Sequence, residues 1–375
     1  SSSVNMSNLV SSSGVVGADV TGVGTARQYA AAVTFGGDKA IFGYGTTGSN
    51  VSLTNLVSNE GVVASDVSGV GQARNALAAS TYGLDKAIFG YGESSDSPGT
   101  RVGTTNLVSN TGVVGSDVSG VGTSRTLLAA AGYGLDKGIF AYGWTGSYLS
   151  MSNLINNVGV AASDVSGVGT ARRNLAAASY STDKAIFGYG LSSGGRVGVT
   201  NLVNNSGVMA SDTTGVGTER FALAAAEYGG DKAFFAFGAT ASKVSLKNLV
   251  SNSGVVAADV TGVGTARNYV KAAKYGGDKA IVAFGSNAAG AVVGVSNLVS
   301  NSGVVASDVS AVGTAKRSPG ACSYGGDKAV FAYGTTGDNT AIKNLINNSG
   351  VVGSDVTGVG TARRDLGAVG FSTSA

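Results

Sequence analysis

At 375 residues the chain is long enough for two or three ordinary domains, but 61 glycines, 13% charged and 43% hydrophobic residues describe turn-rich β-structure. That composition excludes an ordinary helical enzyme, collagen and a disordered segment. Histidine is absent, which removes the usual general base, the commonest zinc ligand and every Ser-His-Asp or Cys-His arrangement.

The single cysteine, Cys322, has no partner for an internal disulfide, so the redox compartment stays open. A net charge of +3, with both signs interspersed, predicts neither a nucleic-acid groove nor an anionic membrane surface. No apolar run reaches the ~18 residues of a membrane span, and the opening SSSVNMSNLV lacks the basic and apolar regions of a signal peptide.

In chain order, Val4 to Asp19 reads as a pair of strands that begins partway through a repeating unit. The first full unit opens with Gln28 to Thr34 (QYAAAVT), turns through Phe35-Gly36-Gly37-Asp38, and returns in Lys39 to Gly45 (KAIFGYG). These are strands one and two of a hairpin with a glycine-bearing turn. A loop follows, then Val51 to Val57 (VSLTNLV), the turn Ser58-Asn59-Glu60-Gly61, and Val62 to Asp66 (VVASD). Asn and Gly at such turns supply the positive φ that the reversal requires. The connector V-S/T-G-V-G-x-A-R is too short and too glycine-rich for a crossover helix, so each unit is expected to be four antiparallel strands.

The unit recurs along the whole chain. Asp-Lys pairs at positions 38, 85, 136, 183, 231, 278 and 327 are 47 to 51 residues apart. The repeat's Asn-Leu, at positions 8, 55, 106, 153, 201, 248, 297 and 344, is followed each time after 11 residues by an aspartate and after a further eight by a cation. Only the interval from the closing glycine to the next Asn-Leu varies, from 10 to 14 residues, so length variation is confined to one loop. Repeats of this length with four meandering strands are the pattern of propeller blades, because one small sheet cannot bury its own faces. The expected fold is all-β: a single β-propeller over 1–375, of seven or eight four-stranded antiparallel blades.

Strands one, three and four are repeated eight times and strand two only seven, so one blade lacks a strand two. The simplest closure pairs the N- and C-terminal strands, 1–26 and 363–375, in one shared blade. The open position predicts strand exchange or a homo-oligomer.

The Arg before strand one and the glycine-ended apolar strand two resemble the kelch type of propeller, although the kelch double glycine stands here as G-Y-G, A-Y-G or A-F-G and its strand-four tryptophan is missing. The stretches NLVSNxGVVxSDVSGVGTAR and YGGDKAIFGYG resemble repeats of structural and fibre proteins of marine bacteriophages. That resemblance implies a virion or other extracellular surface component.

The recurrent charges read as scaffold, with Asp66 and Arg74 and their equivalents tying unit to unit. The glycine runs GVGTAR and YGGDK fail as phosphate loops, since no G-x-x-x-x-G-K-[ST] occurs and no helix follows. The S-D-V-S-G segments lack the acid spacing of a calcium loop. No catalytic residue, cofactor or metal site is therefore expected, and the chain is expected not to be an enzyme.

The variable loops are the candidate face. Their distinctive residues are Arg101 in SSDSPGTR, Trp144 and Tyr148 in WTGSY, Arg196 in SSGGR, Lys243, and Asn287 in SNAAG. An aromatic pair beside Arg and Asn suits sugar stacking or a protein contact. The expected function is a non-enzymatic structural or adhesive propeller presenting this face to a protein partner or a host surface glycan. The alternative is a lectin-like propeller with several equivalent sugar sites.

Overall fold

The computed structural model describes Thr25, most of residues 29–352, and Asp355. The expected shared unit of 1–26 and 363–375 lies, Thr25 apart, outside the described residues. Among the described residues all regular structure is β, arranged as small antiparallel sheets, none closed on itself.

Seven of these sheets have three strands in the order one-two-three and recur at the repeat period. In the fourth of them Ala176–Tyr180 pairs with Lys184–Gly188, which pairs with Thr200–Val203. Ala178 lies opposite Ile186, and Ile186 opposite Leu202. The burial of each strand follows its place. The outer strand AAASY alternates between half-buried and buried residues, whereas AIFG of the central strand is buried throughout, as in a strand covered on both faces.

Those covers are the neighbouring sheets. The first strand of each sheet packs on the first and second strands of the next. The apolar clusters accordingly straddle two units: Val33, Phe35, Ile41 and Tyr44 of one pack with Ala87, Phe89 and Val108 of the following one. Backbone bonds run the same way, from Gly83 N–H to the Asp136 carbonyl at 2.6 Å and from Gly134 N–H to the Asp183 carbonyl at 2.6 Å. Each sheet thus completes its neighbour's core, the arrangement of a repeat protein.

The expected fourth strand is reduced. In place of a regular strand, the segment after the Asn/Ser-Asn-x-Gly turn meets strand three at two bridges in five of the units, Val203 with Met209 and Thr200 with Thr213 in the fourth sheet. The turn is held by the Asn204 Oδ1, which accepts from the N–H groups of Ser206 at 3.0 Å and Val208 at 2.9 Å. Alanine or glycine, with the aspartate, within this segment interrupts the alternation that would hold a continuous ladder.

The closing dipeptide of strand two is a bulge. Tyr142 has φ of 64° and Gly143 of 117°, and the register with strand three shifts between Ala141 and Gly143. The same left-handed aromatic recurs at Tyr44, Tyr91, Tyr189, Phe237 and Phe284. For a bulky residue this conformation costs about 1–3 kcal/mol, and it turns the ring out of the strand toward the next unit. The residue before it is Gly or Ala for a packing reason. A Cβ on Gly43 would stand 2.8 Å from the Phe89 ring of the next unit. Where Ala141 replaces it, the Tyr142–Phe187 centroids lie 5.9 Å apart, against 5.4 Å for Tyr44–Phe89.

Two hairpin tips carry an avoidable strain. Leu84 and Leu135 sit at φ of 70° and 69° and are 76% and 70% exposed, where Gly37, Gly230 and Gly277 stand in other copies. Leu135→Gly is expected to raise stability by about 0.5–1 kcal/mol, because the left-handed penalty on leucine exceeds the entropic cost of glycine. Urea denaturation of the variant checks this.

Candidate functional site

The repeated cations form a buried stack at every described junction between units. Arg172 is fully buried. Its guanidinium lies 3.8 Å above the Tyr142 ring of the preceding unit and donates to Asn201 Oδ1 at 2.6 Å and to the Thr170 carbonyl at 3.0 Å. Asn201 in turn donates to Asp212 Oδ1 at 3.0 Å, and Asp212 Oδ2 accepts from the Thr170 N–H at 2.8 Å and hydroxyl at 2.6 Å. The same set recurs with Arg125 over Tyr91, bonded to Asn153, beside Asp164.

The expected pairing of Asp66 with Arg74 is corrected by this arrangement. Arg74 approaches Asp117, the aspartate of the following Asn-Leu segment, at 4.0 Å, while Asp66 accepts from Thr25 and Asn55. The connector crosses the edge of the sheet it precedes, so each Arg serves its own unit's Asn and Asp and reaches back to the previous unit's aromatic ring. Burial pushes the Tyr142 hydroxyl up to about 12, against the opposing pull of Arg172. Burial raises Asp164 and Asp212, but hydrogen bonds from Thr123 and Asn153, and from Thr170 and Asn201, outweigh it and hold both below the usual carboxylate range. These groups are committed to one another within the scaffold.

The Asp-Lys pairs lie at the hairpin tips. Lys137 Nζ donates to Asp136 Oδ1 at 2.7 Å, and Asp85 Oδ2 accepts from Asn110 at 3.0 Å. They tie the two hairpin tips of one unit together.

The variable loops build a second layer of structure. Each begins as an arm that pairs with the residue just after the repeated cation: Asn75 with Glu93, Thr126 with Trp144, Arg173 with Leu191, Phe221 with Ala239. The loop then doubles back, placing Glu93 opposite Arg101, Trp144 opposite Tyr148, Leu191 opposite Arg196 and Ala239 opposite Lys243. Directly opposed residues share a face, so each unit presents one row of three side chains. The second arm meets the next connector, as in the bond from Arg172 N–H to the Leu149 carbonyl at 3.0 Å.

The six sequence candidates occupy this ribbon in five different loops. Trp144 and Tyr148 are brought together, with ring centroids 4.8 Å apart and edge to face. Arg196 reaches the neighbouring Phe221 ring at 6.0 Å. Asn287 caps its own turn, its Oδ1 accepting from the Ala291 N–H at 3.0 Å. Arg101 and Lys243 each stand at the end of their own row.

Arg173 belongs with these residues and was not expected. Its guanidinium lies 4.4 Å from the Trp144 ring and 5.4 Å from the Tyr148 ring. The available signal was the doubled cation in A-R-R-N, which recurs only at Lys316-Arg317 and Arg363-Arg364, whereas the other copies have Gln, Asn, Thr or Phe after the cation.

No family model matches the chain, and no curated protein does. Among solved structures the chain is similar to that of YjhT, with 12% identity, a TM-score of 0.48, and coverage of 73% of this chain and 95% of that one. The expectation that the chain is not an enzyme is withdrawn. That expectation rested on the missing histidine, which excludes only histidine-dependent chemistry; 22 acidic residues and 14 tyrosines carry acid–base groups of their own.

Proposed function

We infer that the chain is a β-propeller whose loop-bearing face engages a protein partner or a surface glycan, as a component of a virion or another extracellular surface. The observation that carries this reading is the Trp144–Tyr148–Arg173 cluster, in which the only tryptophan of the chain stands half-buried on a loop hairpin beside an aromatic and a cation. Half-buried aromatics beside arginine are the residues that anchor such contacts. The seven repeating sheets, each completed by its neighbour, support the propeller, and the repeat resemblance to bacteriophage structural and fibre proteins supports the location.

The alternative of equivalent sugar sites in every unit draws no support from the loop rows, which differ from unit to unit, or from the junctions between units, which the Arg–aromatic stacks fill. Screening the chain on arrays of surface glycans and surface proteins tests the reading. Binding lost in Trp144→Ala is the expected result; binding to none, or binding indifferent to that substitution, overturns it.

A further inference from the structure

We propose that the loop rows of three successive units form one continuous strip for an anionic polysaccharide, a deepening that rests on the loop-face reading above. The strip runs through Tyr148, Trp144, Arg173, Arg196, Phe221 and Lys243. Arg173 bridges the first row to the second by lying over both aromatic rings, and Arg196 bridges the second to the third by reaching Phe221. Leu191 stands between the two arginines, opposite both.

Charge sets this strip apart from the rest of the molecule. The buried repeated cations are neutralised by aspartates, as Arg125, Arg172 and Arg220 are at 3.7–3.9 Å. Arg173, Arg196 and Lys243 form no ion pair among the described residues, and the three rows contain no acid. The preceding unit differs, since there Glu93 stands opposite Arg101.

Alternating aromatic faces and unneutralised guanidinium groups match a chain of sugar rings that carries negative charge. Ring faces take the C–H surfaces of the sugars, and the arginine forks take carboxylate or sulfate oxygens bidentately. A strip crossing units, rather than a pocket within one, fits a polymer.

The test is affinity electrophoresis of the intact chain in gels containing polygalacturonate, dextran sulfate, neutral dextran or oligothymidylate. Retardation by polygalacturonate or dextran sulfate, and not by neutral dextran or oligothymidylate, is expected, and whichever of the two retards more identifies the carboxylate or the sulfate as the charged group. Trp144→Ala should weaken it about tenfold, as should Arg173→Gln with Arg196→Gln, consistent with ~1.4 kcal/mol for each set. These side chains lie outside the sheets' cores, and circular dichroism verifies folding; Lys243→Gln, at the far end of the strip, gives an independent readout. Retardation should fade as salt approaches ~0.5 M, where screening reaches within about 4–5 Å. No retardation by either acidic polysaccharide, equal retardation by oligothymidylate, or retardation unchanged in the variants overturns the strip. Trp144-dependent capture of a neutral glycan or protein on the arrays alongside that failure would leave the loop-face reading standing.

Discussion

Arg172→Met is expected to lower the free energy of unfolding by about 3–5 kcal/mol, among the largest effects of any single substitution in the chain. The methionine keeps much of the apolar stem over Tyr142, but the guanidinium that bonds Asn201 and the Thr170 carbonyl is gone. Asp212 then keeps its bonds from Thr170 and Asn201 and loses its cation at 3.9 Å. Removing one partner of a buried charged set leaves the others desolvated and unpaired, which is the costly direction. Arg172→Lys should recover only part, because a point ammonium cannot serve the Asn, the carbonyl and the ring together. Urea unfolding followed by circular dichroism measures both. Because units couple through these junctions, a broadened or biphasic transition in Arg172→Met is also expected. A loss under ~1 kcal/mol would show that the stacks do not hold the units together.

The molecule contains a natural version of the Arg-to-Lys exchange. Lys316 stands where the other described junctions have arginine, with Nζ 4.1 Å from the Phe284 ring and donating to Asn344 Oδ1 at 2.5 Å. Burial pushes its ammonium down to about 7, and Asp355 only partly opposes this. The folded value lies below the ordinary 10.5, so between pH 7 and 10.5 the unfolded chain binds more protons than the folded one. Stability from this group therefore rises with pH across that window and is lowest below about 7. From pH 7 to about 9.5 a gain on the order of 2–3 kcal/mol is expected in the wild type. It should be absent in Lys316→Arg, which should also be the more stable protein at pH 7. Parallel denaturation series at several pH values compare the two. A wild-type curve that tracks the variant's would show that Lys316 stays charged in the fold.

The hairpin turns and the pairing order of strands one to three follow from the residues, because turn chemistry and two-residue alternation are local. Gly36 and Gly37 reverse the chain within the expected turn, but strand one is Ala31–Phe35 rather than Gln28 to Thr34, and strand three begins at Thr54 rather than Val51. Strand four is shorter than its composition suggests: around the VVASD of residues 304–308, only Val305 and the following Val309 bridge strand three. Both its length and the bulge at Tyr142 depend on what lies beside them in the next unit. The aromatic of G-Y-G looks like the end of a strand in sequence, yet it is turned into a left-handed conformation by the arginine and phenylalanine that cover it.

The candidate face was legible only as a set of loops. Variable length marked them, and the lone tryptophan marked one, but spacing along the chain cannot say which loop a connector will cross. Arg173 and Phe221 were passed over for that reason.

By itself the sequence determined the repeat, its punctuation, the antiparallel β character and the confinement of variation to one loop per unit, since each depends on residues within a few positions of one another. Only the tertiary structure decided the partners. In a chain of near-identical units each Arg has two aspartates in similar standing, one just before it and one in the following segment. The choice of Asp117 over Asp66 for Arg74 follows from the connector's path across the sheet edge. The same path lays Arg173 on Trp144 and Tyr148, joining residues of two units into one surface.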